Sequence, residues 1–427
     1  MIRNSLRILS GNIRVFAITD MMGNFARGLV FPYSSLYILA LGGDAAAIGW
    51  VSFFGLFAGL LVLPIAGYIT DHADRIRLLV LSGFLSSLFL VFMVLAPSWQ
   101  VVAIAGLFFG TVVFQFPAYA SLIADSLSPR DRGQGIGVMN TISSSISIFA
   151  PYIAGIIIDQ YSANLGMRIL YTAMLIIYLI STFIQFRFLH ENSPSPRQPL
   201  RMSALTQALE QAYRTAPGLL RQMSTPLKVL AVVILLSFLA NAVASPFWVV
   251  YATEQIKLST AEWGLILLVE SVVRLVTFFT AGTFVDRWGR TKTLLVSLAV
   301  SCVAIPLFVV LKSFTAILLI RVVIAITFAL AIPACTALMA DLVPRRLRGQ
   351  MMAAIGQGGL MIGPAGGGAG GPALGYLFIP LVMLASLAGG YLYTFNPTYP
   401  WYFSLVMTLL SILLTVLYIR DPQRAEI

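Results

Sequence analysis

Long apolar runs separated by short polar punctuation dominate the chain, and the runs share one length. Twelve stretches reach the roughly 20 mostly apolar residues that a helix needs to cross the hydrocarbon of a bilayer. Their approximate bounds are 15–40, 46–69, 77–96, 100–125, 134–160 and 167–188, then 228–253, 261–285, 293–312, 314–341, one between 349 and 395, and 400–419. The runs are too long for strands and lack their two-residue alternation, so the expected fold is all-α. Between the sixth and seventh runs the chain turns polar. Ser193-Pro194-Ser195-Pro196 cannot be helical throughout, whereas Arg201 to Arg221 has the pattern of a basic amphipathic helix lying on a membrane surface. The pattern divides the chain into a six-helix bundle over 1–190, a linker over 191–226 and a second six-helix bundle over 227–427.

The two bundles are copies. The loop Gly282-Thr283-Phe284-Val285-Asp286-Arg287-Trp288-Gly289-Arg290-Thr291-Lys292 has a worn counterpart 215 residues earlier, from Gly67 through Asp71 to Arg75 and Arg77. Pro117, Ala118, Leu122, Ala124 and Asp125 recur as Pro333, Ala334, Leu338, Ala340 and Asp341, and Arg132-Gly133-Gln134 recurs as Arg348-Gly349-Gln350. Pro32 and Tyr37 answer to Pro246 and Tyr251. Offsets this constant indicate an internal duplication.

Composition supplies the solvent. With 59% hydrophobic and 10% charged residues over 427 positions, and a mean hydropathy of +0.91, only a bilayer can take up the apolar surface. Twenty-one Arg and Lys residues fall in the loops and termini on one side of this topology, and only Arg168, Lys257 and Lys312 on the other. The positive-inside rule then puts both termini in the cytoplasm, in a multi-pass protein of the cell membrane. The same asymmetry accounts for the net charge of +11 without nucleic acid as a partner. Cys302 and Cys335 fall inside spans as small apolar residues, not as a disulfide framework. No metal cluster, nucleophile–base pair or nucleotide motif points to an enzyme or a cofactor, and a monomer is expected.

Twelve spans in two parallel six-helix repeats, a central linker and a loop of the form Gly-x-x-x-Asp-Arg-x-Gly-Arg-x-Lys resemble the major facilitator superfamily of secondary transporters. The resemblance implies alternating access, with Gly67, Asp71 and Arg75 in one loop and Gly282, Asp286, Arg287, Gly289 and Arg290 in the other acting as a cytoplasmic gate that clamps the halves in the outward-open state. Asp125 and Asp341, at the cytoplasmic ends of the fourth and tenth spans, join these clusters as candidates. The first loop is degraded, with His72 and Asp74 where the family has Arg and Gly. Ala150-Pro151-Tyr152-Ile153-Ala154-Gly155 in the fifth span approximates an element of drug antiporters.

An ionised side chain at the centre of a spanning helix costs about 2.5–3.5 kcal/mol on insertion scales, so its presence there points to function. Five such charges occur: Asp20 and Arg27 in the first span, Glu270 and Arg274 in the eighth, and Arg321 in the tenth. Counted at about 1.5 Å per residue, Arg27 and Arg274 lie near the midplane, Glu270 one turn outward, Arg321 in the outer third and Asp20 in the inner third. Arg27, Arg274 and Arg321 with Asn24, Gln115 and Asn241 form the candidate substrate site, and Glu270 and Asp20 the candidate proton sites. Glu270 and Arg274, four residues apart, share a helix face. That spacing fits a self-neutralising pair, or a carboxyl that takes a proton when substrate competes for its arginine. Three arginines against two acids tilt the expected substrate towards a small organic anion moved with a proton. A proton-driven exporter of amphipathic compounds is the alternative, and a non-transporting receptor or lipid scramblase a further one.

One segment breaks the repeat. The eleventh span carries a surplus that includes the glycine-rich insertion 363–372. The expected layout is a short helix near 346–361 at the cytoplasmic face, a loop, and a span from about 373 to 395, with a helix break inside the membrane as the other possibility.

Overall fold

The computed structural model describes residues 10–128, 132–191, 202–344, 347–356, 358–361 and 374–420, and among these it is helical without strands. The helices are α1 (Gly11–Val30), α2 (Ser34–Ala40), α3 (Ala45–His72), α4 (Arg75–Leu95), α5 (Trp99–Gly110), α6 (Gln115–Ser126), α7 (Arg132–Ser145) and α8 (Ala150–Phe188) in the first half. The linker forms α9 (Met202–Gln222). The second half holds α10 (Thr225–Ala244), α11 (Trp248–Glu254), α12 (Thr260–Trp288), α13 (Arg290–Val310), α14 (Phe314–Leu342), α15 (Arg348–Ile355), α16 (Ile379–Phe395) and α17 (Tyr399–Tyr418). Nine helical runs among the described residues are long and apolar enough to cross a membrane on their own. Of the remaining expected spans, Gly11–Ala40 is helical but carries Arg14, Asp20 and Arg27, and Ile379–Phe395 is apolar but only 17 residues long. The 57-residue run Arg132–Phe188 reverses at Ser162, whose φ is 71°. Gly166 packs so tightly on Ile158 there that an added Cβ would lie 2.9 Å from its Cα.

Local chemistry places the ends. Asp44, Asp74 and Ser313 cap α3, α4 and α14 by accepting from backbone N–H groups of the first turn. Ser259 and Glu262 form a reciprocal capping box on α12. Gly289, at φ 94°, ends α12 inside the motif loop, a conformation that favours glycine. Pro32 and Pro246 each sit in a three-residue 3₁₀ turn, between α1 and α2 and between α10 and α11, so the duplication extends to helix irregularities.

It extends to bonding as well. Tyr37 donates to the Met93 carbonyl at 2.9 Å, and its counterpart Tyr251 to the Val309 carbonyl at 3.0 Å. Arg132 reaches the Ala124 carbonyl at 3.0 Å, as Arg348 reaches that of Ala340 at 2.9 Å. Leu81, Phe183, Phe279 and Leu319 remain exposed around the outside, an apolar belt that only lipid covers.

The eleventh span holds two helices, the short α15 and then α16, which begins at Ile379. Its short helix α15 buries Met351, Ala354 and Ile355 and leaves Gly349, Gln350 and Ala353 exposed, and the chain leaves it at Gly356 with φ 93°. It returns at Gly375, which lies so close to the Ala354–Gly356 backbone that no Cβ would fit. Tyr376 and Leu377 then donate to the carbonyls of Ala353 and Ala354 at 3.2 and 3.1 Å. The chain thus resumes beside the end of α15, and the apolar α16 follows. Leu360 is buried, and Met361 N–H bonds to Ser237 of α10 at 3.2 Å. The glycine-rich stretch 363–372 lies outside the described residues.

The halves meet along two seams, α3 with α16 and α8 with α12. Close approaches concentrate at the end opposite the motif loops. There Gly49 faces the Ser386 and Leu387 carbonyls, Gly390 faces Ala45, and Gly155 and Gly264 face Thr260 and Pro151. The linker helix α9 sits near the motif end, buries Ala216 and Leu219 with Met223 just past its end, and donates from Tyr213 to the Leu60 carbonyl of α3 at 2.8 Å. Tyr376 of the second half donates to the Ala212 carbonyl of α9 at 3.0 Å, so this helix touches both halves.

Candidate functional site

Asp20, Asn24 and Arg27 recur at helical spacing and so line one face of α1. Asn24 ties that face to α7 by donating to the Ser143 carbonyl at 3.2 Å, while its own oxygen accepts from Arg27 at 2.6 Å. Arg27 also reaches the Tyr178 hydroxyl of α8 at 3.4 Å. Its side chain is exposed within the apolar bundle, and among the described residues no carboxylate comes within 4 Å of it. Asp20, two turns away, accepts a short hydrogen bond from Tyr119 of α6 and is only partly buried. Gln115, one turn before Tyr119, accepts from the buried Ser82 hydroxyl of α4 at 2.9 Å. These groups form a polar wall in the first half with one positive and one negative charge that are not in direct contact.

The second half is arranged differently. Glu270 bridges Arg274 on its own helix and Arg321 on α14, and the carboxylate is 3% exposed. Arg321 is fully buried, with its guanidinium 5.0 Å from the Trp248 ring centre and 5.4 Å from that of Trp263. The π faces take the place of hydrogen-bond acceptors for the Nε and Nη1 groups, which have none among the described residues. Arg274 lies 5.0 Å from the Phe328 ring and is the most accessible of the three. Asn241 is buried in the wall of a cavity of about 30 Å³ inside the second half, with Ser237, Ser301, Ser404, Thr408 and Met361 around it. That is room for a water molecule or two. The five charges therefore form two groups: an open Asp20/Arg27 face and a closed Glu270/Arg274/Arg321 triad.

At the motif end, Arg75 pairs with Asp125 at 2.7 Å, and its counterpart Arg290 pairs with Asp341. Both pairs lie within a half. Asp71 and Asp286, like Gly67, Gly282 and Arg287, are exposed, and among the described residues neither aspartate bonds to the opposite half. Gly289 supplies the turn that brings Arg290 to Asp341.

This arrangement matches a family. The profile described as Major Facilitator Superfamily covers residues 16–227 and 230–426. The chain belongs to the major facilitator superfamily. It is similar to Multidrug resistance protein 1 of Bacillus subtilis (strain 168), with 21% identity over 392 residues, 91% of each chain. An uncharacterized MFS-type transporter of Methanocaldococcus jannaschii is 27% identical over 195 residues, 44% of this chain and about half (47%) of that protein. Among solved structures, a mutant form of the nucleoside transporter NupG superposes with a TM-score of 0.67 at 15% identity, covering 95% of this chain and 98% of that one. The protein is a multi-pass membrane transporter, not an enzyme.

Several participants escaped the sequence reading. Tyr178 and Trp263 are polar-tipped aromatics in apolar helices, a weak signal in a chain that is 12% aromatic. Asp159 and Thr260, which join the halves at the end away from the motif loops, gave no motif at all.

Proposed function

We propose that this protein moves a small organic anion across the cell membrane by alternating access, in exchange for or together with a proton. The motif face is cytoplasmic in this reading, so a structure closed at the opposite end is the inward-facing state. The observation that carries the anion reading is Arg27, an exposed guanidinium held by Asn24 and Tyr178 with no carboxylate among the described residues at ion-pair distance. A planar fork of donors in that position suits a carboxylate or phosphate. Asp20 takes the proton: it is partly accessible, has among the described residues only the Tyr119 hydroxyl as a close partner, and lies on the same helix face as Arg27. Gln115 and Arg274 extend the substrate surface, and the Glu270/Arg321 pair holds α12 and α14 together.

A second reading, proton-driven efflux of amphipathic compounds, draws support from the Bacillus subtilis relative named as a multidrug resistance protein and aligned over 91% of both chains. Proteoliposomes with an imposed pH gradient separate the two. Monocarboxylates, dicarboxylates and sugar phosphates would be tested for accumulation beside ethidium as a lipophilic cation. Uptake of an anion that is lost in Arg27→Ala supports the first reading; transport of ethidium alone replaces it with the second.

A further inference from the structure

The first turn of a helix leaves N–H groups with no partner inside the helix. In α12 the donor of Glu262 is taken by the Ser259 hydroxyl at 3.0 Å, within the same half. The donors of Thr260 and Ala261 are taken from across the interface. Asp159 of α8 accepts Thr260 N–H at 2.9 Å on one carboxylate oxygen and Ala261 N–H at 2.9 Å on the other. The Thr260 hydroxyl lies 2.5 Å from the first of these oxygens and 2.8 Å from the Gly155 carbonyl, and its single proton can serve one of them at a time. A carboxylate at this position also meets the positive end of the helix dipole. Tyr33, at the far end of the α1 segment, lies 2.8 Å from the Pro151 carbonyl and 3.2 Å from that of Thr260. The approach depends on bare backbone: a Cβ on Gly155 would lie 2.2 Å from the Thr260 carbonyl oxygen, and one on Gly264 2.6 Å from that of Pro151.

We propose that Asp159 is the latch of the gate opposite the motif loops. Its carboxylate completes the N-terminal cap of α12 only while that face is closed, and opening the face requires both N–H bonds to be surrendered to water. The closed face is stabilised by a cap divided between the halves, whereas the capping box of Ser259 and Glu262 belongs to one half and survives the motion. The latch is a property of the interface, so it stands or falls independently of substrate, coupling ion and membrane orientation.

The test uses the full-length protein in nanodiscs with Cys302 and Cys335 replaced by Ala. Spin labels are placed at Gln100→Cys and Lys312→Cys on the latch face, or at Arg77→Cys and Lys292→Cys on the motif face, all exposed positions. Asp159→Ala is expected to raise the ratio of long to short latch-face distances by about tenfold or more, because hydrogen bonds to a charged acceptor are the stronger class. The motif-face pair, labelled in a separate preparation of the same variant, should shorten. Thr260→Val, which keeps the backbone donors and removes the hydroxyl, should shift both pairs in the same directions by less. Should Asp159→Ala fail to fold, Asp159→Asn replaces it, and the same reciprocal shift is expected at smaller amplitude. Unchanged distances on the latch face, or both pairs broadening without reciprocity, would overturn the proposal.

Discussion

Replacing Glu270 by Gln should destabilise the protein more than it alters coupling. Among the described residues the carboxylate is the only acceptor within bonding distance of the Arg321 guanidinium, which is fully buried, and it also holds Arg274. The neutral amide keeps the shape but leaves two cations facing each other across α12 and α14 with no counter-charge. Removing one partner from a buried ion pair costs about 3–5 kcal/mol, most of it the penalty of the charge left behind. The Trp248 and Trp263 rings offset part of this for Arg321, so the lower half of that range is expected. Equilibrium unfolding of the purified protein in mixed micelles would measure it, with Arg321→Met and the double variant completing a cycle. If the triad is structural, Glu270→Gln/Arg321→Met recovers a good part of the loss, because the orphaned cation has gone. The reasoning fails if Glu270→Gln stays within about 1 kcal/mol of wild type and yet abolishes proton-driven accumulation while Asp20→Asn retains it. The proton would then belong to α12.

Three further outcomes are expected. Asp286→Asn should slow turnover in proteoliposomes and favour the motif-face-open state more than Asp71→Asn, whose loop lacks the full motif; equal and negligible effects would remove both aspartates from the gate. Gly155→Ala should force α8 and α12 apart, since the 2.2 Å contact is with a backbone oxygen that cannot turn aside, and the Gln100/Lys312 label pair should lengthen; an unchanged distance would mean the seam is looser than drawn. Tyr213→Phe removes one hydrogen bond from α9 to α3, worth about 0.5–1.5 kcal/mol, and should raise the rate of limited proteolysis within the linker; unaltered protection would mean that Ala216, Leu219 and Met223 hold the helix alone.

The sequence was informative where a physical constraint acts locally. Apolar run length reported the helices, and residues repeated at a constant offset reported the duplication, which the Tyr37/Tyr251 and Arg132/Arg348 bonds then express in three dimensions. The position of Asp125 and Asp341 at helix ends was enough to suggest their clusters, and they are the partners of Arg75 and Arg290. What stayed hidden was pairing across helices. Spacing of four residues reveals Glu270 and Arg274, but nothing in a sequence announces that Arg321, 51 residues away, shares the carboxylate. The Asp159 latch is less visible still, because its partners are backbone N–H groups with no side-chain signature. Glycine content suggested a break in the eleventh span; that the chain resumes in hydrogen-bonding contact with α15 depends on the packing of Gly375 on Ala354.

These contacts give α12 a mechanical role that its residues do not suggest singly. At about 1.5 Å per residue, the Asp159 cap, the Glu270 triad and the Asp286 loop are strung along one continuous helix of 29 residues, so the two ends cannot move independently. The triad fastens the middle of that lever to α14, and the cap fastens one end to the opposite half. The Asp20–Arg27 face of α1 reaches the same point by a different route: six residues beyond Arg27, the 3₁₀ turn at Phe31–Tyr33 delivers the Tyr33 hydroxyl to the Thr260 carbonyl. A ligand that draws on Arg27 and a gate that depends on Thr260 thus act on one joint, which is the physical requirement for binding to bias which face is open. Coupling through that joint needs only that the cap be intact in one state and broken in the other. Asp159, as a carboxylate supplied by the opposite half, meets that condition, and Ser259 and Glu262, which travel with their own helix, do not.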